Sequence, residues 1–237
     1  MNVAIVGYGK MGQAIEQILL ERGHQISYRI SIDNPEDLNK INQSNSDVAI
    51  EFTAPNAALN NIITCLQNQV PVVSGSTGWL DQLEKVRRTS ETSGCGFFYA
   101  SNYSLGVNIF FKLNEVLAKM MNGHNYQVDM LEVHHTQKLD APSGTAITLA
   151  EGLIENLEDK DNWVNERTKQ KDKVGIISER TENVPGTHEV TYTSEVDTIK
   201  ISHVAHSRKG FALGAVLAAE YLKGKSGVHS MDDLLNL

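Results

Sequence analysis

Short apolar runs alternate with amphipathic stretches through the first half of the chain. Val3–Val6 carries no polar position, which reads as a strand buried on both faces. A glycine turn follows. Apolar residues then recur at helical spacing from about Lys10 to Arg22, where Gly23 supplies the residue that ends a helix. Gln25–Ile30, Asp47–Phe52, Val70–Ser74 and Gly96–Tyr99 repeat the strand pattern, and Ala57–Gln67 and Leu80–Arg88 the helical one. The stretch Ile32–Ser46 is too short and polar to predict a full helix. Parallel neighbours need a crossover, so strands alternating with helices predict a doubly wound parallel sheet.

After Tyr103 the rhythm changes. Val107, Phe110, Phe111, Asn114 and Leu117 fall at helical spacing and predict a helix over Leu105–Met121. A strand over Gln127–His135 and a helix over Ala146–Leu157 follow. Lys173–Arg180, Thr187–Thr193 and Asp197–Val204 read as strands joined by tight turns, which predicts a mixed or largely antiparallel sheet. Phe211–Leu222 is the last long helix, expected to pack back on the first domain. The charged segment Glu158–Lys173 reads as a solvated loop or helix end. The fold class is therefore α/β, a Rossmann-like doubly wound parallel sheet, plus a C-terminal α+β domain with a mixed sheet. The expected domains are residues 1–103, completed by 209–237, for dinucleotide binding, and 104–208 for substrate binding, catalysis and oligomerisation.

Composition narrows the function. Over 237 residues, 41% hydrophobic and 21% charged content is that of an ordinary globular protein, and a net charge of -8 argues against nucleic-acid binding. Cys65 and Cys95 form no CxxC pair, so a reducing compartment is expected rather than a disulfide scaffold. The N-terminal residues have no signal-peptide character, and no apolar run approaches the roughly 18 residues of a membrane helix. The expectation is a cytoplasmic protein.

Gly7-Tyr8-Gly9-Lys10-Met11-Gly12 directly follows the first strand and opens the first helix, the context in which GxGxxG signifies dinucleotide binding. Gly7 permits the tight turn, Gly9 lets the backbone approach a pyrophosphate, and Gly12 lets helix and strand pack closely. The anion then sits on N–H groups at the positive end of the helix dipole. Asp33, 21 residues after Gly12, is placed to bind ribose hydroxyls. Phe52–Pro55, Gly75-Ser76-Thr77-Gly78 and Tyr99-Ala100-Ser101-Asn102 fall where other strands should end, within reach of a nicotinamide ribose.

The densest chemistry is the run Glu132–Ala146. Two histidines, His134 and His135, and Lys138 leave a strand, and Pro142-Ser143-Gly144-Thr145 starts a helix. The N–H groups of Gly144 and Thr145 make a carboxylate site, Lys138 adds positive charge, and a histidine suits proton delivery near neutral pH. Three other readings stand beside this one: surface histidines with a capped helix, a zinc site, and a Schiff-base lysine. The adjacent histidines lack HExxH spacing and no cysteine lies nearby, so no metal is expected.

This run closely resembles the signature of the 4-hydroxy-tetrahydrodipicolinate reductase (dihydrodipicolinate reductase) family of lysine and diaminopimelate biosynthesis. The likeness extends over Glu51–Pro55, Gly75–Gly78, Ala100–Asn108 and Gly186-Thr187-His188 through His203, Arg208 and Gly214-Ala215. It implies His134 as proton donor and Lys138 as a second catalytic cation. It implies carboxylate contacts from His135, Ser143, Gly144 and Thr145, and cofactor contacts from Gly75–Thr77 and Tyr99–Asn102. The implied assembly is a cytoplasmic homotetramer. A reaction between two domains is expected to need hinge closure, with the hinges near Asn102–Ser104 and Ser207–Gly210. Departures are mild: Glu51 stands where aspartate is common and Ser76 where threonine is common. Asn34 stands where some members carry an arginine able to meet the NADP phosphate, which leans the cofactor from NADPH toward NADH unless Arg29 or Lys40 substitutes. Arg180, His188, His203 and Arg208 are expected to support the sheet rather than touch substrate.

Overall fold

A computed structural model describes residues 1–207 and 209–237. Arg208, with its expected role and its share of the expected hinge, lies outside the described residues. The chain divides into two compact units, Met1–Leu105 with Lys209–Leu237, and Gly106–Arg208.

In the first unit, β1 (Asn2–Val6), β2 (Gln25–Ile30), β3 (Val48–Glu51), β4 (Val72–Ser74), β5 (Gly96–Tyr99) and β11 (Gly227–His229) form a six-stranded parallel sheet in the order β11-β5-β4-β3-β1-β2. Successive side chains of a strand face opposite ways. Val3 and Ile5 accordingly pack with helices α1 (Lys10–Glu21) and α6 (Lys209–Leu222), while Ala4 and Val6 pack with α2 (Pro55–Gln67) and α3 (Leu83–Ser93). Helix α6 does return to this sheet. Its alanines bring it close, and a Cβ at Gly214 would stand 1.7 Å from the Tyr103 carbonyl oxygen.

Several boundaries differ from the sequence reading. The helix expected over Leu80–Arg88 is a 3-10 turn, Leu80–Gln82, followed by α3, which runs on to Ser93 until Gly94 caps it at φ +69. Pro71 delays β4 to Val72. Residues Pro35–Lys40 form only a 3-10 turn. Strand β11 and helix α7 (Met231–Leu235) were not anticipated, being too short to carry a period.

The second unit holds α4 (Leu105–Met121), α5 (Gly144–Asn156) and a five-stranded mixed sheet. Its strands are β6 (Gln127–His134), β7 (Asn162–Val164), β8 (Lys173–Arg180), β9 (Gly186–Thr193) and β10 (Thr198–Ala205), in the order β10-β9-β6-β8-β7. The β10–β9 and β9–β6 pairs are antiparallel, and β6–β8 and β8–β7 are parallel. The charged segment after α5 is not wholly solvated. It contributes edge strand β7, and Lys160 is buried with its ammonium on Asp159 and the Lys171 carbonyl. Charge there masked the short Trp163–Val164 signal.

The buried face of this sheet changes character along its strands. At one end Val128 pairs with Tyr192, and in the middle Met130 lies between Val190 and Ile176. At the other end Glu132 lies between His188 and Ser178, and His134 beside Arg180. An apolar core thus gives way, within two pleats of β6, to a buried ionisable cluster.

Candidate active site

The glycine turn follows β1 with the geometry an anion site needs. Gly7 has φ +101, and a Cβ there would stand 2.0 Å from the Phe52 carbonyl oxygen. A Cβ at Gly12 would stand 2.3 Å from the Gly7 oxygen, whereas one at Gly9 meets nothing within 4 Å. The turn is pinned by Gly7 and Tyr8 N–H groups, which donate to the Ile30 carbonyl at 2.9 and 3.0 Å. Helix α1 starts at Gly9 with no side-chain cap and no acidic residue in its first turn. Its first N–H groups therefore face outward without an internal acceptor or a competing carboxylate. Beside them, a cavity of about 540 Å³ opens where β1, β2 and β3 end, lined by Gly7, Tyr8, Ser31, Asp33, Thr53 and Asn61 among others. This is the switch point of the sheet, where β2 and β3 leave β1 in opposite directions. The residues present fit an adenosine and a pyrophosphate.

Glu51 organises the neighbouring strand ends. It is 1% exposed. Its carboxylate accepts from the Ser74 hydroxyl at 2.6 Å, the Ser76 hydroxyl at 2.8 Å, the Thr53 N–H at 2.9 Å and the Thr53 hydroxyl. Partners of this kind offset the cost of burying a carboxylate. The Tyr103 hydroxyl donates to the Ser74 carbonyl at 2.7 Å, and the Trp79 indole to the Ser76 carbonyl at 2.7 Å. A Cβ at Gly75 would enter the Phe52 ring. Among the expected cofactor residues, Ser76 is buried and its hydroxyl is engaged with Glu51, Ala100 is buried, and Thr77 and Ser101 are exposed. Tyr99 stacks edge-on against Trp79, and Asn102 accepts from the Ser104 N–H at 2.9 Å. Asp33 is exposed at the cavity wall.

In the second unit, Glu132 is fully buried and holds the cluster together. The Ser143 N–H donates to both its oxygens at 3.1 Å; His134 Nδ1 lies 3.4 Å away, Arg180 3.6 Å and His188 Nε2 3.7 Å. The Ser143 hydroxyl caps α5 by accepting from the Ala146 N–H at 3.2 Å and sits 3.2 Å from His188 Nε2. Gly144 and Thr145 follow as the first residues of α5, at the positive end of its dipole. Lys138 pairs with Asp140 at 2.8 Å. Arg180 fixes that loop from β8, donating to the Lys138 carbonyl at 3.2 Å and to the Asp140 carbonyl at 2.5 Å.

Burial dominates the electrostatics of the histidines. It lowers the pKa of His134 below its ordinary value; Glu132 opposes this, and the charges of Lys138 and Arg180 add to it. His188, more deeply shut away and close to His134, is pushed down to about 4. For Glu132 burial acts upward, but hydrogen bonds from Ser143 and Ser178 and the proximity of His134 outweigh it, so the group is held below the usual carboxylate range. The resting cluster near neutral pH is a glutamate anion between predominantly neutral imidazoles.

The fold brings together His134, Ser143, Gly144 and Lys138, but it separates the two histidines. His135 lines another hollow of about 440 Å³ with the Glu182–Pro185 turn. Sequence reading gave no role to Glu132, although it opened the run. Buried strand positions two apart, Val128, Met130, Glu132 and His134, were the signal that could have found it. The donor atoms of Glu132, His134 and His188 also lie within 4.8 Å of one another, a grouping invisible to local spacing. The Ser143 N–H on the carboxylate and the Ser143 hydroxyl on His188 already engage two of the three, which gives the group the character of a hydrogen-bond network. His203 faces the Phe110 ring, and its pKa too is lowered by burial.

The chain matches the family description "dihydrodipicolinate reductase, N-terminus" over residues 1–103 and "dihydrodipicolinate reductase, C-terminus" over residues 106–235. It is 51% identical to a 4-hydroxy-tetrahydrodipicolinate reductase of Christiangramia forsetii, covering 100% of this chain and 98% of that one. A protein of the same name from Neisseria gonorrhoeae is 31% identical, over 94% of this chain and 84% of that one. Among solved structures, the dipicolinate-bound dihydrodipicolinate reductase of Paenisporosarcina sp. TG-14 matches in fold with a TM-score of 0.79 at 22% identity, covering 98% of both chains. The amine dehydrogenase of Mycobacterium smegmatis matches with a TM-score of 0.64 at 11% identity, over 98% of this chain and 95% of that one. With its glycine turn, its buried Glu132–His134 cluster and matches along nearly its full length, the chain belongs to the dihydrodipicolinate reductase family of oxidoreductases.

Proposed function

We propose that this chain reduces 4-hydroxy-tetrahydrodipicolinate to tetrahydrodipicolinate, with NADH preferred over NADPH, in lysine and diaminopimelate biosynthesis. The observation that carries the proposal is His134, a buried histidine at a strand end, 3.4 Å from a buried glutamate and beside a capped helix N-terminus and a lysine.

The dinucleotide, when bound, supplies a hydride to C4 of the ring after the 4-hydroxyl has left as water. The Gly7–Gly12 turn and the opening N–H groups of α1 hold the pyrophosphate, and Asp33 takes the adenosine ribose hydroxyls. Glu51 keeps the Thr53, Ser74 and Ser76 ends in register, so that Gly75–Thr77 and Tyr99–Asn102 present a fixed surface to the nicotinamide side. In the second unit, Gly144 and Thr145 N–H groups and the Lys138 ammonium receive the substrate carboxylates. Ser143 builds that site from below, as cap and as partner of Glu132 and His188. The contribution of His135 rests on the family likeness alone.

His134 donates the proton that completes the reduction. The dicarboxylate, by neutralising Lys138, removes a charge that depresses His134, so substrate binding itself raises the histidine's proton affinity. Positive charge from Lys138 and α5 also favours the electron-rich species formed on hydride addition. A cytoplasmic homotetramer is part of the same proposal and rests on the family likeness. Among the described residues, no helix is long and apolar enough to cross a membrane.

The test couples aspartate semialdehyde–pyruvate condensation to nicotinamide absorbance. NADH should be consumed only when the condensing enzyme is present. Purified, folded protein that binds NADH and consumes none under these conditions would refute the proposal.

A further inference from the structure

Three side chains beside the adenosine cavity form a closed unit that the proposed reaction does not use. Glu16, on α1, takes the guanidinium of Arg29, from β2. The Arg29 Nε lies 3.1 Å from each Glu16 oxygen, and one terminal nitrogen of Arg29 bonds Oε1 as well. The Tyr8 hydroxyl, from the glycine turn, donates to Oε2 of the same carboxylate. The Arg29 guanidinium carbon also lies 6.0 Å from the Tyr8 ring centroid. Tyr8 lines the cavity, and so do Ser31, Ile32 and Asp33, which follow Arg29 within four positions of the chain.

This arrangement bears on which dinucleotide the cavity admits. The two cofactors differ by one phosphate on the adenosine ribose, a group that proteins bind with arginine and lysine. At the end of β2 this chain offers an anion, Asp33, and two nearby cations. Both cations are occupied: Arg29 by Glu16, and Lys40 by Asp37. The hydrogen bond from Arg29 holds the Glu16 carboxyl below the usual range, so the pair stays ionised across the neutral pH interval.

We propose that Glu16 is a specificity-determining residue: by holding Arg29 against α1, with Tyr8 as the third member, it denies the ribose phosphate of NADPH its cation and makes the cavity selective for NADH. The inference rests on the dinucleotide reading of the first unit. Glu16 does not line the cavity. It acts through Arg29, and freeing Arg29 turns the rim of the cavity toward phosphate binding.

The experiment measures the Kd of NADH and NADPH, by quenching of protein fluorescence or by calorimetry, for the wild-type chain, Glu16→Gln, Arg29→Gln and the double variant. Wild type should favour NADH. Glu16→Gln should tighten NADPH on the order of tenfold, the scale of one charge-assisted contact, and leave NADH within about threefold. The double variant should lose that gain. Tyr8→Phe, which loosens the carboxylate without exposing a new charge, should shift the ratio the same way by less. Equal wild-type affinity for both dinucleotides, no NADPH gain in a Glu16→Gln protein that still binds NADH, or a gain that survives removal of Arg29 would each overturn the inference while leaving the dinucleotide reading intact. Failure of folded wild-type protein to bind either dinucleotide would instead refute that reading.

Discussion

Each unit of this molecule buries a glutamate near the carboxyl end of a strand, and the two have different surroundings. Glu51, 1% exposed at the end of β3, is surrounded by neutral donors: the hydroxyls of Thr53, Ser74 and Ser76 and one N–H. Glu132, 0% exposed on β6, also takes hydrogen bonds from Ser143 and Ser178, but it sits among ionisable groups as well: His134, His188 and Arg180. A carboxylate held by hydroxyls fixes geometry, since its partners exchange no proton near neutral pH. A carboxylate set among histidines fixes geometry and also sets their proton affinity. In the proposed function, the first serves cofactor positioning and the second proton transfer.

Truncation should separate them most. Glu132→Ala leaves buried donors and a half-buried arginine uncompensated, and should cost about 3–5 kcal/mol in chemical denaturation. Glu51→Ala strands neutral hydroxyls, and about 1–3 kcal/mol is expected. Equal losses would erase the distinction.

Acid should reveal the histidine side of the same cluster. Folding holds His188 near pKa 4 against an ordinary 6.5, so the unfolded chain takes up that proton first as the pH falls. His188 therefore contributes its full stability above 6.5, loses it at about 1.4 kcal/mol per pH unit down to about 4, and adds no slope below. His188→Gln should flatten that part of the profile; an unchanged slope would show that His188 is not the group responsible.

Isosteric amides probe function rather than folding. Glu132→Gln removes the charge that supports protonation of His134, so the fall of kcat/KM with rising pH should begin at lower pH. Glu51→Gln should leave that limb in place and weaken NADH binding by about three- to tenfold. A pH limb that moves in the Glu51 variant, or stays put in the Glu132 variant, contradicts the comparison. The smallest effect is expected at Ser143→Ala, which removes the cap of α5 and should cost about 1 kcal/mol in thermal or chemical unfolding.

The first unit was the more legible in the sequence, because its determinants are local. The apolar run Val3–Val6, the turn Gly7–Gly12 and the helix after it lie within a short span, and period and glycine spacing suffice to read them. The short edge strand β11 and helix α7 were not legible, because Gly227–His229 and Met231–Leu235 are too short for a repeat of their period to show. The second site was legible only in the part carried by the run His134–Thr145. Its organiser, Glu132, draws its meaning from His188, Ser178 and Arg180, which arrive from β9 and β8 through strand register. Lys138 and Arg180 likewise meet only because the end of β8 reaches the loop after β6. No spacing along the chain encodes those pairings, so roles built from them appear only in the fold.

The most direct test of the account is His134→Ala, measured for turnover in the coupled reductase assay and for NADH affinity in parallel. Removal of the proposed proton donor should lower kcat by about a thousandfold, within the usual range for general acid catalysis, and leave the NADH Kd within about twofold. Turnover that survives the substitution, or a loss of turnover matched by an equal loss of NADH binding, would contradict the assignment of His134 to proton transfer.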